Sequence, residues 1–380
     1  KTDFQSVYKN LLYDKIITNN RGEYAKQVSF VSDWFKDENC RCYKSMDFFP
    51  KCEVPDHVYN SFTWFNVEDV EPDDSLDIEN SRVWSHLFNL CGHDDEVFDY
   101  VLKWLALKVQ RPYELPKTSL IFQSEQGAGK DSFFDWFGNN ILGNEYYVNE
   151  DKASLVFGRF NAKIENKLLI VLNETNARDT VELINGIKNG ITRTTNEIER
   201  KGQGSYNCNN FISYVFLANN EYCLPIEGSD RRFVAIQCNN SHIKNKKYFT
   251  RLHKEFTSKK YDRVFFDFLM DIDIEGYNFT LNKPITDYYR ILKHQNVPML
   301  ARFLGDYLSS FHGTSAIHKL RAGELYDNFK SWCCDNGFNG DRVPTSTKFG
   351  TDLHFYTGVD KKRDCKGSSY TIDQESLRSY

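Results

Sequence analysis

No apolar run in the 380-residue chain approaches the roughly 18–20 residues that a membrane-spanning helix needs, so no membrane partner is expected. The N-terminus, Lys1-Thr-Asp-Phe-Gln5, has no apolar signal segment and no initiator Met, and the chain reads as part of something longer. An excess of positive charge is also missing. Lys and Arg number 48 against 53 Asp and Glu, a net charge of −5, so no global field advertises a polyanionic partner. Any nucleic-acid surface must be local. Ten cysteines occur without the spacing of a disulfide framework, and in a chain this long they read as reduced cytosolic thiols. Cys40, Cys42, Cys52 and His57 match no common zinc-site spacing.

Aromatic residues are plentiful: 30 Phe and 22 Tyr help bring the aromatic share to 15%, enough for thick aromatic cores. The length accommodates two or three domains. The most informative stretch runs from Thr118 to Phe133. An apolar run, Leu120 to Phe122, predicts a buried strand. Gly127-Ala128-Gly129 predicts a tight turn, Lys130 follows, and Phe133, Phe134 and Phe137 mark a helix. Strand, glycine turn, lysine and helix in this order build a phosphate-binding loop, in which curled backbone N–H groups and the helix N-terminus attract an anion. Lys130 would supply the charge for β- and γ-phosphates, and Gln126 to Ser132 would line the nucleotide. Against the usual G-x-x-x-x-G-K-[ST], Ser124 holds the first glycine position and Asp131 the place of the magnesium-binding hydroxyl, with Ser132 one residue late.

Further motifs follow in order. Lys167 to Leu172 predicts a strand covered on both faces and ending in Asn173-Glu174. A carboxylate at that end of a parallel strand lies beside the phosphate loop, where Glu174 would polarise the attacking water and help position a metal. A helix over 182–191 leads to a hairpin with a basic tip, Arg200-Lys201-Gly202, suited to contacting phosphates without reading sequence. Phe211 to Ala218 predicts a second buried strand, with Asn219 placed to hold a water or sense the γ-phosphate. Asp230-Arg231-Arg232 precedes a third strand, and either arginine would suit a finger acting on a neighbour's γ-phosphate.

This succession resembles the superfamily-three helicases, the AAA+ modules of viral and mobile-element replication proteins, and among them the poxvirus- and phage-type primase-helicases. The resemblance is good over residues 80–240 and fair for the last 80. It implies ATP and Mg²⁺ as cofactors, with Lys130 on the phosphates and Asp131 or Ser132, together with Glu174, at the metal. It also implies Glu174 as the catalytic glutamate, Asn219 as polar sensor and Arg231 or Arg232 as arginine finger. Arg200 and Lys201 would lie on a DNA-tracking hairpin. The implied partners are single-stranded or forked DNA, five further copies in a hexameric ring, and a primase domain or protein. The implied location is the cytoplasm of a host cell or a viral replication site. Asp131, and Asn173 in place of an acidic residue, point to a weak or metal-sensitive ATPase.

The fold expected is α/β: an AAA+ P-loop ATPase core over 113–240, preceded by a region of uncertain role (1–80) and a helical collar (81–112). A basic helical segment (241–300) and a winged helix (301–380) follow. Tyr8, Leu11, Leu12 and Ile16 form a helical stripe in the N-terminal region, and Glu68 to Glu79 reads as a solvated acidic linker. Asp94 is placed to cap a helix reaching Val109. Residues 241–263 hold eight Lys or Arg against Glu255 and Asp262, a local basic patch. Helices near 322–334 and 346–355, a basic turn at Lys361-Lys-Arg363 and a strand at 369–372 complete the winged helix, which would bind duplex DNA or a partner protein. Two rival functions remain at this level: a replication initiator with degenerate ATPase chemistry, and a small P-loop phosphotransferase.

Overall fold

The computed structural model describes residues 7–8, 10–19, 22–73, 75–173, 177–220, 223–226, 230–295, 299–309, 317–336, 338, 343–354, 356, 358–365 and 367–373. At the N-terminus the expected helical stripe is a β-hairpin. Strands β1 (Leu12–Asn19) and β2 (Gly22–Ser29) pair antiparallel, with Leu12 opposite Ser29 and Asn19 opposite Gly22. Leu12 and Ile16 are four residues apart, an even spacing that suits one face of a strand as well as one face of a helix. The β-branched run Ile16-Ile17-Thr18 then favours the strand. A short helix α1 (Phe30–Trp34) follows, and then two three-residue strands, β3 (Ser45–Asp47) and β4 (Val58–Asn60), which pair parallel.

The acidic 68–79 stretch is not a free linker. It is pinned at both ends by single 3₁₀ turns at Asn66–Asp69 and Ile78–Asn80, whose Val67 and Ile78 are buried in the main core. Between them, Arg263 donates to the Glu68 and Val70 carbonyls, and Lys260 pairs with Asp73 at 2.6 Å. Burial of two apolar side chains converts a charged segment into a strap.

Helix α2 (Arg82–Leu90) is capped by Ser81, and α3 (Asp95–Gln110) by Asp94, as anticipated for the latter. Lys108, buried on α3, donates to the Glu114 and Phe211 carbonyls, tying the helix to the segments that enter two central strands. The core sheet comes next: β5 (Ser119–Gln123), α4 (Lys130–Trp136) extended by a π-helical stretch Phe137–Gly143, β6 (Tyr147–Glu150), α5 (Ser154–Phe157), β7 (Leu169–Leu172) and α6 (Ala177–Thr192). A separate hairpin, β8 (Thr195–Ile198) with β9 (Tyr206–Asn209), precedes β10 (Ser213–Ala218) and β11 (Phe233–Gln237).

The five core strands are parallel in the order β11-β5-β10-β7-β6. Their unbroken apolar runs follow from burial on both faces. Leu120, Phe122, Val215 and Leu217 face α2, α3 and α4, whereas Ile121, Phe216 and Ala218 face Ile187 and Ile191 of α6. The chain leaves β5 for the far edge at β6 and works back to β10. A crevice therefore opens at the carboxyl ends of β5 and β10, the place where open α/β sheets bind ligands.

Helices α7 (Lys246–Phe256) and α8 (Lys259–Asp271) join the first face, while Tyr288, Tyr289 and Leu292 of α9 (Asp287–Gln295) join the second. The last unit has its own core. It contains α10 (Met299–Ser309), β12 (Ile317–Arg321), α11 (Ala322–Asp335), α12 (Ser346–Leu353), β13 (Val359–Asp364) and β14 (Gly367–Asp373). Its strands form an antiparallel sheet in the order β12-β14-β13. Lys361, Lys362 and Arg363 lie in β13, not in a turn; the reversal falls later, before Gly367, whose φ of +121° a side chain would resist. Among the described residues no helix is long and apolar enough to cross a membrane.

Candidate functional site

The 124–129 loop leaves β5 into the crevice. Gly127 and Gly129 both have φ of +90°, and Gly129 caps α4 in the left-handed conformation. Lys130, the first residue of α4, is buried and turns its amine back into the loop. It donates to the Ser124 hydroxyl, to the Ser124 carbonyl (3.3 Å) and to Asn219 Oδ1 at the end of β10 (3.2 Å). Three acceptors satisfy its three donors. Burial pushes its amine below the ordinary lysine range, against the opposing pull of Cys238 and Asp131. The serine in the first glycine position thus has a use: its oxygens hold the lysine in place.

The carbonyl of Gly129 is fixed from the collar. His86 of α2 is buried and approaches it through Nε2 at 3.2 Å, while its Nδ1 lies 3.1 Å from the Tyr248 hydroxyl of α7. A carbonyl can only accept, so Nε2 carries the proton and Nδ1 receives the hydroxyl. Burial lowers the His86 pKa to about 4, which keeps the ring neutral. A Cβ on Gly129 would stand 2.8 Å from both the His86 ring and Phe249. Neither His86 nor Phe249 was predicted as a site residue. They lie 43 and 120 residues from Gly129 in sequence, and neither belongs to a motif.

Gln126 to Ser132, Asp151, Asn173, Leu217, Asn219 and Phe249 line a cleft of about 450 Å³. The predicted loop residues and Asn219 therefore meet in one place. Asp131 and Ser132 are exposed on the first turn of α4, where a cation between phosphates and helix would find them. Asn173 donates to Asn149 at 2.5 Å and leaves its own Oδ1 buried with no hydrogen-bond partner among the described residues. Such an orphaned acceptor suits a metal-bound water. Among the described residues no three acidic, His or Cys side chains cluster as a ready cation site. A magnesium ion would thus depend on nucleotide oxygens, which is how this hard cation is usually held. The lining fits a magnesium nucleotide. Glu174 lies outside the described residues.

Arg231 and Arg232 are not part of this cleft. They precede β11, whose first residue pairs with Ser119 at the start of β5, so they sit at the opposite end of the sheet. The five residues of β5 span about 15 Å. Arg232 is held by buried Asp230, donating its backbone N–H at 2.8 Å and Nη1 at 3.3 Å. Arg231 is exposed, has no ion pair among the described residues, and opens onto a separate surface cavity of about 700 Å³ with Arg111 and Lys117. At the β8–β9 hairpin, Arg200 is occupied by Glu165, which also accepts from the Tyr206 hydroxyl. Lys201, at the exposed tip, is in no ion pair among the described residues.

A family model described as a family of unknown function (DUF5906) matches residues 122–232, the span from the end of β5 and its glycine loop to the arginine pair. The DNA primase-polymerase of Nitratiruptor phage NrS-1 is 32% identical over 167 residues, which is 43% of this chain and 23% of that protein. The apo structure of the NrS-1 C-terminal region, residues 305–718, superposes with a TM-score of 0.64 at 18% identity, covering 96% of this chain and 94% of that one. A second apo structure of the same region gives a TM-score of 0.66 at 18% identity, covering 95% and 94%. The chain has the fold of that region.

Proposed function

We propose that this chain is an ATP-driven DNA helicase module of a replication protein, built on an AAA+ core of the superfamily-three type. The observation that carries the reading is the convergence of Lys130, the glycine loop and Asn219 in the switch-point crevice. Lys130 would meet the β- and γ-phosphates there, and Phe249, which lines the cleft, would pack against the nucleotide. Magnesium, when bound, supplies the counter-charge between phosphates. Asp131 or Ser132 would hold it, with Glu174 polarising the lytic water and Asn219 orienting it.

The opposite placement of Arg231 supports action between subunits. An arginine about 15 Å from its own loop is out of reach of a nucleotide bound there, so as a finger it would act on a neighbouring copy, in keeping with a homo-hexameric ring. Of the two candidates Arg231 is the finger, because Arg232 is committed to Asp230. Lys201 would track the strand through the pore, with Arg200 stiffening the hairpin base. The phage primase-polymerase among the relatives supports a replication role, with priming carried elsewhere in the protein or by a partner.

The test is ATP turnover and fork unwinding by the wild type, Lys130→Ala and Glu174→Gln. Lys130→Ala should lose nucleotide binding. Glu174→Gln should bind but turn over at least about 10³ times more slowly. Turnover unchanged in both variants removes the reading. A replication initiator with weak ATPase chemistry is the second reading, favoured by Asp131 and by the amide at Asn173. It predicts ring formation on DNA with turnover that single-stranded DNA does not stimulate.

A further inference from the structure

Helix α12 buries Phe349 and Leu353 and exposes Ser346, Thr347, Lys348, Thr351 and His354. Thr345 caps it, accepting from the Lys348 N–H. The helix lies close on the sheet at Gly350, where a Cβ would stand 2.9 Å from the Tyr370 hydroxyl. In β13 the side chains alternate. Lys361 and Arg363, opposite Tyr370 and Ser368, share one face, and Asp360 and Lys362 share the other. A groove of about 540 Å³ runs between the two elements, with Thr347, Thr351, His354, Lys361 and Ser368 among its walls. Lys348, Lys361 and Arg363 are exposed and make no ion pair among the described residues, whereas Lys330 nearby is paired with Asp327.

We propose that this face, the outer side of α12 with Lys361 and Arg363 of β13, binds duplex DNA. Three observations select that ligand. First, no large apolar side chain after Ile291 is exposed among the described residues, so the face lacks the anchors a protein partner would bury. Second, among the described residues it exposes no Phe, Tyr or Trp for unstacked bases, as single-strand platforms do, and His354 is its one open ring, whereas Phe160 and Tyr206 near the hairpin are open. Third, an exposed helix bearing hydroxyls and a lysine matches the width of the B-form major groove, and a flanking cationic strand matches the phosphates beside it. The deep, narrow major groove of duplex RNA would not admit the helix. The unit would hold the parental duplex while the hairpin engages one strand.

The experiment is fluorescence anisotropy of the full chain with a labelled blunt DNA duplex of about 20 bp, repeated from roughly 50 to 200 mM salt. The triple variant Lys348→Ala, Lys361→Ala, Arg363→Ala should lose at least about tenfold in duplex affinity, and its salt slope should fall by about 3. Its single-strand affinity should stay within about twofold. Lys362→Ala, on the opposite face of β13, should bind duplex like the wild type. Should the triple variant fail to fold, Thr347→Asp with Thr351→Asp repels phosphate from exposed positions without touching the core, and must weaken duplex binding with an unchanged melting temperature. The proposal is overturned if the wild type binds no duplex or if the charge variants bind it unchanged. It is equally overturned if Lys362→Ala weakens binding as much as the triple variant, if single-strand affinity falls in parallel, or if duplex RNA binds as tightly as DNA. ATP turnover is read alongside, so loss of the motor reading is seen separately.

Discussion

Gly129 carries two constraints at once. Its φ of +90° disfavours any side chain, and its α-carbon is wedged between the His86 ring and Phe249. Gly129→Ala should therefore destabilise the fold by at least about 2 kcal/mol and abolish nucleotide binding, read by urea unfolding and nucleotide titration. His86 adds a pH dependence. Its folded pKa of about 4 is depressed from 6.5, so the unfolded chain binds the proton more tightly. The stability contribution is complete above pH 6.5 and is lost as pH falls through about 4, amounting to about 3 kcal/mol at the acid limit. His86→Gln should flatten the urea-midpoint profile between those values. An unaltered profile would show that His86 does not titrate as its burial implies.

Between elements, the two arginines ahead of β11 should separate cleanly. Arg231→Ala removes an exposed side chain that has no ion pair among the described residues and should cut turnover by about 10³ with no change in melting temperature. Arg232→Ala strips a partner from buried Asp230 and should cost about 2 kcal/mol of stability, seen as a lowered melting temperature. If the melting effects are reversed, the roles are reversed. Hydropathy alone could not make this choice, because adjacent arginines look alike until the neighbouring elements are in place.

For the whole molecule, no arginine lines the cleft among the described residues, so the proposed function requires a second copy to complete the site. Turnover per chain should rise with protein concentration and plateau as rings complete, measured by steady-state ATPase beside sedimentation. Activity strictly proportional to concentration down to dilution would place a complete site in one chain. Much of this architecture was legible from the start. Four of the five core strands, the capped α3 and the helices α11 and α12 follow from apolar periods and explicit caps, whereas β6 and α10 were not anticipated. The N-terminal hairpin was misread because an even spacing satisfies two periods. The acidic strap escapes a local reading because the turns that bury Val67 and Ile78 pack against α8, 180 or more residues further along the chain.

By itself the sequence determined the local pieces: a glycine turn with Lys130 after a buried strand, an amide after another, and a basic hairpin tip. Each depends only on neighbours along the chain. What the tertiary structure alone decided is which pieces meet. The return of the chain from β6 to β10 sets Asn219 against Lys130, the packing of α2 and α7 brings His86 and Phe249 onto Gly129, and the start of β11 leaves Arg231 at the far end of the same sheet. The physical reason is that parallel strands align all their carboxyl ends on one side, so a residue's end of a strand fixes its place more firmly than its distance in sequence.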